Sequence, residues 1–168
     1  MKRVLLTGMS GTGKSTVIRR LAEQGYKAVD TDDDWWSEWT DAVDGPDWVW
    51  REERMRWLLA TEDADVLFVS GCKSNQGKFY PHFDHIILLS APTDVMIERI
   101  TTRTNNDYGK TASELNEILG YVDTVEPLLR RRATLEVDTA TSVDQVVAAI
   151  LDHVQAHGNR LESAAQTD

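Results

Sequence analysis

The chain has 168 residues, 41% hydrophobic and 27% charged, which is typical of a single soluble globular domain. Its net charge of −10 argues against nucleic acid or an anionic membrane as a partner, because both attract basic surfaces. No apolar stretch is long enough to cross a bilayer, and the run after Arg3 is too short for a signal peptide. Since Cys72 is the single cysteine, we expect a cytoplasmic protein without an internal disulfide. We also expect a monomer or weak dimer whose partner is a small molecule.

Apolar runs that alternate with helix-period segments predict an α/β protein. Strands are expected at about residues 3–6, 27–30, 66–69, 85–89 and 134–137, with 66–69 at the sheet centre. Helices are expected at about residues 13–24, 35–43, 46–61, 93–102, 111–132 and 142–157. This order predicts a single three-layer α/β/α domain, residues 1–158, with a five-stranded parallel sheet. The polar residues 159–168 are expected to form a flexible tail.

The segment 8–16 reads GMSGTGKST and lies between the first strand and the first helix, which is the pattern and context of a P-loop. Its glycines allow backbone N–H groups to approach phosphate oxygens, and the helix N-terminus adds unpaired N–H groups. Lys14 can reach the β- and γ-phosphates, and the Ser15 hydroxyl can bind Mg²⁺. We therefore predict ATP and Mg²⁺ as cofactors, with the nucleotide bound by Gly8, Ser10, Gly11, Thr12, Gly13, Lys14, Ser15 and Thr16.

An acidic cluster, residues 30–34, follows the second strand. Ligands in open α/β sheets bind beyond the carboxyl ends of the strands, so this cluster is expected beside the P-loop. Asp30 and Asp32 face the same way in an extended chain. One carboxylate could hold Mg²⁺ and the other could accept a proton from an acceptor hydroxyl. The alternative is a solvated turn that caps the next helix.

Three arginine positions are candidates for binding anions. Arg99 and Arg103 lie on one helix face, before a polar loop that we predict to be a short lid at about residues 103–111. A guanidinium over transferring phosphates stabilises developing charge, whereas the alternative is a pair of solvated surface arginines. Arg51 could pair with an anionic acceptor.

All six tryptophans, 35, 36, 39, 48, 50 and 57, lie within about residues 31–62, which we predict to be a helical acceptor-binding insertion. They could form a wall or stacking platform for the acceptor, or they could pack two helices onto the body. After the third strand, Gly71 permits close approach of a ligand and Lys73 could hold an anion. Cys72 is expected to be a packed residue.

Together these motifs resemble the shikimate kinase family, within the P-loop small-molecule and nucleotide kinases that include gluconate kinases and adenylate-kinase-like enzymes. Residues 29–32 are similar to its D-T-D element, which implies that Asp30 serves magnesium and Asp32 the acceptor hydroxyl. Residues 50–53 resemble F-R-x-x-E, which implies an acceptor contact from Arg51. Residues 127–130 resemble P-L-Y-R, which makes Arg130 a second acceptor-binding arginine, and Arg103 falls at the lid arginine.

The combined prediction is an ATP- and Mg²⁺-dependent phosphotransferase that moves the γ-phosphoryl group to a small hydroxyl- or phosphate-bearing acceptor. Lys14, Asp32 and Arg103 would be catalytic. The family has a triple glycine where this chain has Gly71-Cys72-Lys73, which indicates an acceptor other than shikimate. Two alternatives are a nucleoside or nucleotide kinase and a non-catalytic nucleotide-binding regulatory protein.

Overall fold

A computed structural model describes residues 1–156, and every structural statement below refers to them. The predicted tail at 159–168 and the predicted end of the last helix at 157 lie outside the described residues. The strands are β1 (Lys2–Thr7), β2 (Lys27–Asp30), β3 (Ser37–Ala42), β4 (Gly45–Trp50), β5 (Val66–Ser70), β6 (His85–Ser90) and β7 (Leu135–Asp138). The helices are α1 (Lys14–Glu23), α2 (Glu52–Ala60), α3 (Thr93–Thr102), α4 (Ala112–Thr124), α5 (Glu126–Arg132) and α6 (Val143–Ala156), with a 3₁₀ helix at Gln76–His82.

Five strands form one parallel sheet in the order β2-β5-β1-β6-β7. The predicted fold class is confirmed. The central strand is β1, however, and the expectation that 66–69 would be central is wrong, because β1 and β5 are both buried and apolar content alone cannot rank them. All five strands end at one edge of the sheet. The segments that follow β2, β5 and β1 are therefore neighbours there.

The sheet is covered on both faces, as expected for parallel strands. Val4 and Leu6 of β1 point to the face covered by α1 and α6, and Leu5 points to the opposite face. That opposite face is covered by α2 and the 3₁₀ helix near β5, while α3, α4 and α5 enclose a further core around Leu88. None of the helices among residues 1–156 is long and apolar enough to span a membrane.

The tryptophan-rich segment differs from the prediction. Residues 37–50 form an antiparallel hairpin, β3 and β4, in which Ala42 pairs with Gly45 across a two-residue turn. The helices predicted at 35–43 and from 46 onward are therefore wrong, and α2 begins only at Glu52. An Asp-Gly pair between residues that favour strands is a strong hairpin signal. In the structure the two turn residues are Val43 and Asp44, and Gly45 follows them as the first residue of β4 with a φ of 115°, a conformation that favours glycine. The helical spacing of the tryptophans is coincidental.

The predicted helix at 111–132 is divided into α4 and α5 at Val125. Pro127 lacks an N–H group and lies in the first turn of α5, where that group would have no intrahelical partner. A capping box stabilises the start of α4, since the Thr111 hydroxyl accepts a hydrogen bond from the Glu114 N–H and the Glu114 side chain accepts one from the Thr111 N–H. This cap fixes the start of α4 directly after the predicted lid.

Candidate functional site

The glycine-rich loop joins β1 to α1 and turns tightly onto itself. Gly13 caps α1 with a φ of 89°, a left-handed conformation that favours glycine. The Thr12 hydroxyl donates to the Met9 carbonyl at 2.8 Å and is fully buried, so this side chain stabilises the loop. Lys14 Nζ donates to the carbonyls of Gly8 and Met9 at 2.8 and 3.0 Å. The ammonium group is thereby held over the loop.

A second layer of contacts fixes this loop from the α3 side. Arg99 donates to the Gly11 carbonyl at 3.3 Å and to the hydroxyl and carbonyl of Thr139 at 2.8 and 2.6 Å. The Thr139 hydroxyl in turn donates to the Thr12 carbonyl at 2.8 Å. Thr139 was not predicted as a site residue, although its position just after β7 places it at the carboxyl edge of the sheet. Arg99 and Thr139 together position the loop.

A cavity of about 450 Å³ opens above the loop. It is lined by the loop, the start of α1, the end of α3, the lid and the segment after β7. Most of the predicted nucleotide-binding residues line it, namely Ser10, Gly11, Gly13, Lys14, Ser15 and Thr16. Gly8 lines a different cavity, and Thr12 is buried beneath the loop. We call this cavity the donor cavity.

Arg103 connects the loop to the predicted lid. It is the first residue after α3, and its Nη2 donates to the Ser10 hydroxyl at 3.3 Å and to the Tyr108 carbonyl. Its Nε is buried without a hydrogen-bond partner among the described residues. Burial lowers the pKa of Arg103, and the nearby charge of Asp32 opposes that shift. Arg103 lines the donor cavity beside Asn105 and Asn106, so the structure places a guanidinium there.

Asp32 and Lys73 form an ion pair between the ends of β2 and β5. Lys73 Nζ donates to Asp32 Oδ1 at 2.6 Å, and the lysine side chain is only 5% exposed while the aspartate side chain is 48% exposed. Burial would raise the pKa of Asp32, but the charges of Lys73, Lys14 and Arg103 outweigh it and hold that pKa below the ordinary value. Asp32 is therefore ionised at neutral pH.

A second cavity, of about 680 Å³, lies beside the donor cavity. Trp39 and Trp48 of the hairpin line it on one side, and Tyr108 and Tyr121 line it on the other. The two cavities share four lining residues: Ser10, Lys14, Asp32 and Asn106. A ligand in one cavity therefore meets a ligand in the other at the P-loop lysine and the Asp32 carboxylate. We call the second cavity the acceptor cavity.

The six tryptophans have different environments. Trp50 is fully buried, and its indole N–H donates to the Thr31 hydroxyl at 2.7 Å. Trp39 and Trp48 pair across the hairpin with ring centroids 5.1 Å apart and ring planes tilted by 49°, and both line the acceptor cavity. Trp35 and Trp57 are 61% and 65% exposed. Trp50 is therefore a packing residue of the hairpin, whereas Trp39 and Trp48 line a cavity, and their role as a wall for the acceptor stays a prediction.

Arg51 and Arg130 line neither cavity. The Arg51 guanidinium pairs with Glu38 at 2.7 Å and donates to the Asp34 carbonyl at 3.0 Å. Arg130 pairs with Glu126 and Glu136, each at 2.8 Å, and these bonds raise its pKa. The structure does not bring either arginine to the acceptor cavity.

Gly71 does not line the acceptor cavity, although the next two residues do. A Cβ atom at this position would lie 2.4 Å from the Thr31 hydroxyl and 3.0 Å from the Trp50 ring. The glycine therefore permits close packing of the hairpin's buried tryptophan against the strand ends. Lys73 and the half-buried Cys72 of the same segment do line the acceptor cavity.

Few of the described side chains are placed to bind Mg²⁺. Among residues 1–156, no group of three or more His, Cys, Asp or Glu side chains could hold a metal. Ser15 and Asp32 line the donor cavity, whereas Asp30 does not, and the Asp30 carboxylate accepts a bond from the Asp32 N–H at 3.3 Å. Mg²⁺ commonly keeps several waters and takes one or two protein ligands plus substrate phosphates. One hydroxyl and one carboxylate fit that requirement.

Comparison with known proteins identifies similar chains. A family model described as an AAA domain matches residues 4–120, more than half of the chain. A curated "Nucleotide-binding protein" from Geotalea uraniireducens (strain Rf4) is 27% identical over 171 residues. The match covers 95% of this chain and 56% of that protein, so the chain spans little more than half of that relative's length.

Two solved structures have similar folds. A shikimate kinase from Acinetobacter baumannii, in complex with shikimate, is 16% identical with a TM-score of 0.67, over 94% of each chain. A gluconokinase from Sinorhizobium meliloti 1021 is 18% identical with a TM-score of 0.59, over 98% of each chain. At these identities the comparison shows a shared fold.

Proposed function

The chain belongs to the AAA domain family, and on that premise we propose that it is an ATP- and Mg²⁺-dependent phosphotransferase for a small hydroxyl-bearing acceptor. The observation that carries the proposal is the meeting of two cavities at Lys14 and Asp32. A kinase requires a donor and an acceptor site that touch at the transferring group. The similar folds of a shikimate kinase and a gluconokinase support this interpretation.

In this proposal the donor cavity binds ATP. Backbone N–H groups of the loop and of the α1 N-terminus face the phosphates, as in other P-loops. Lys14 exchanges its bonds to the Gly8 and Met9 carbonyls for phosphate oxygens. Arg103 places its guanidinium beside them from the lid. Mg²⁺, bound through Ser15 and Asp32 or its water shell, would neutralise phosphate charge.

The transfer step depends mainly on positioning and charge. The bond between the γ-phosphorus and its bridging oxygen breaks, and ADP leaves with that oxygen. A new bond forms between the γ-phosphorus and the acceptor oxygen, which loses its proton to solvent. Asp32, kept ionised by its cationic neighbours, accepts the hydrogen bond from the hydroxyl and orients its oxygen. Lys14 and Arg103 stabilise the transferring group.

Two alternatives each have one supporting observation. Aromatic walls can stack on a nucleobase, so Trp39 and Trp48 favour a nucleoside or nucleotide kinase. A non-catalytic nucleotide-binding regulatory protein is favoured by the end of β5, where Ser70 stands in place of an acidic residue that could hold Mg²⁺. The experiment below separates this last alternative from a kinase.

The test measures ATP binding and acceptor-dependent ADP release separately. We expect Lys14→Ala to reduce ADP release by at least about 100-fold, since it removes a cation from the transferring phosphates. Lys27→Ala is the matched control, because Lys27 pairs with Asp63 on the surface, away from both cavities. ATP binding without any acceptor that raises ADP release would favour the regulatory alternative. Full activity of Lys14→Ala would refute the proposed function.

A further inference from the structure

We infer that the acceptor is a hydroxylated compound that carries a protonated amino group. This inference rests on the proposed function, because it concerns the acceptor cavity of that phosphotransferase. Three properties of the cavity support it: its charged groups, the partners of those groups, and its aromatic walls. Each property is established by contacts among residues 1–156.

The lining of the acceptor cavity has an excess of negative charge. Its cations are Lys14 and Lys73, and its carboxylates are Asp32, Asp34, Asp47 and Glu117. Lys14 belongs to the phosphate loop, and Lys73 is already paired with Asp32. Three carboxylates therefore lack a counter-charge within the cavity.

Asp34, Asp47 and Glu117 have no cationic partner elsewhere in the described residues either. Glu117 accepts hydrogen bonds from the hydroxyls of Tyr108 and Tyr121, at 2.9 and 3.0 Å, and Asp47 accepts one from the Ser74 hydroxyl. These bonds satisfy oxygen atoms but leave the charge uncompensated. The Glu117 bond and the charges of Glu117 and Asp47 raise the pKa of Tyr121, so both carboxylates act on this region.

Both cations among the described lining residues have another role, since Lys14 serves the nucleotide phosphates in the proposed function and Lys73 pairs with Asp32. The two arginines that the family resemblance assigns to an acceptor carboxylate, Arg51 and Arg130, are held by Glu38 and by Glu126 and Glu136. An acceptor carboxylate at Lys73 would share one ammonium charge with Asp32, which already pairs with it at 2.6 Å. Since like charges repel at short range, the carboxylates disfavour an acid such as shikimate and favour a cation.

The aromatic walls favour the same ligand. Trp39 and Trp48 face the cavity from the hairpin, and Tyr108 and Tyr121 face it from the lid and α4. Aromatic faces attract ammonium groups, and Trp does so most strongly. Lys73 Nζ already lies 5.7 Å from the centre of the Trp48 ring. An ammonium group bound between these rings and the carboxylates would leave the acceptor hydroxyl to reach Asp32.

The experiment compares acceptors that differ in charge on related rings. Glucosamine and 2-deoxystreptamine carry amines, N-acetylglucosamine and inositol are neutral, glucuronate and shikimate are acids, and adenosine represents nucleosides. ADP release is measured with saturating ATP and Mg²⁺, and ATP binding is measured independently. We expect the amines to raise ADP release, and we expect N-acetylation to reduce kcat/KM by about tenfold or more.

A charge-removing double variant tests the site itself. Asp47→Asn with Glu117→Gln retains the side-chain shapes, and we expect it to raise KM for the amine by about tenfold, as for the loss of two partly exposed ion pairs. The matched control is Asp41→Asn with Asp123→Asn, which removes two carboxylates from the same hairpin and helix outside the cavity. The control should leave KM unchanged.

The outcomes separate the two proposals. Preferred turnover of an acid, a neutral sugar or a nucleoside would overturn the inference while the phosphotransferase function stands. An unchanged KM for the amine in the cavity variant would do the same. ATP binding with no acceptor-dependent ADP release in any class would overturn the proposed function, and the inference with it.

Discussion

The ion pair between Lys73 and Asp32 gives the most direct test of the site's electrostatics. Lys73→Met removes the ammonium and keeps the length of the side chain. Lys73 is almost fully buried, and within residues 1–156 its Nζ donates to Asp32 alone, at 2.6 Å, while Asp32 is half-exposed. A hydrogen bond between charged groups contributes about 1.5–3 kcal/mol, and solvent screening of Asp32 reduces that value. We therefore expect a coupling of about 1–2 kcal/mol.

A double-mutant cycle measures this coupling. The free energies of unfolding in urea are compared for the wild type, Lys73→Met, Asp32→Asn and the double variant. Because the pKa of Asp32 is lowered in the folded state, its stabilising contribution is present above the ordinary aspartate value of about 3.9 and is lost as pH falls through the lower, folded value. The coupling should be equal at pH 7 and pH 5.

The same variant has an expected effect on turnover. Without Lys73 the desolvation of Asp32 is less compensated, so its pKa rises, and the acidic limb of the kcat/KM profile should move to higher pH. A coupling below about 0.3 kcal/mol at pH 7, within the error of additive changes, would refute the reasoning. A coupling that halves between pH 7 and pH 5 would also refute it.

Three other predictions follow from contacts outside the acceptor cavity. Gly71→Ala should lower the free energy of unfolding in urea by about 1–3 kcal/mol, as for overpacked cores, because the added Cβ would meet Thr31 and Trp50. Gly77→Ala is the control, since the space around its Cβ is open. Arg130→Ala should destabilise the fold by about 1–3 kcal/mol, because it leaves the buried Glu126 unpaired. The KM for the acceptor should stay unchanged, and a tenfold rise in KM would instead favour a role of Arg130 in acceptor binding. Arg99→Ala should weaken ATP binding by about tenfold through loss of its bonds to the loop and Thr139, whereas equal affinities by calorimetry would exclude this positioning role.

The hairpin shows where pattern reasoning failed and which signal could have corrected it. Trp35 and Trp39, like Trp50 and Trp57, lie at spacings that also occur on a helix face, and this spacing suggested two helices. Asp44-Gly45 is a stronger local signal, because short hairpin loops commonly need a residue with positive φ, and Gly45 supplies it with a φ of 115° directly after the turn. Local turn chemistry outweighs a periodicity carried by few residues.

The arginines show a second limit of prediction from sequence. Glu126 lies four residues before Arg130, so their pair on α5 was accessible from helical spacing. The pairing of Arg51 with Glu38 was not, because it depends on the hairpin that brings the two residues together across 13 positions. A motif resemblance identifies which residue types occur at a position. It does not identify the side chains with which those residues pair in the folded protein.

The sequence alone determined the parallel α/β domain and the phosphate loop, because both depend on local patterns. The loop's turn, its helix N-terminus and the bonds of Lys14 to its own carbonyls all lie within residues 8–16. Only the tertiary structure determined which residues line the acceptor cavity and how they pair. Asp32 and Lys73 are 41 residues apart, and the cavity walls come from the hairpin, the lid and α4. Whether a charge there is paired or available depends on contacts between distant segments, which no local pattern records.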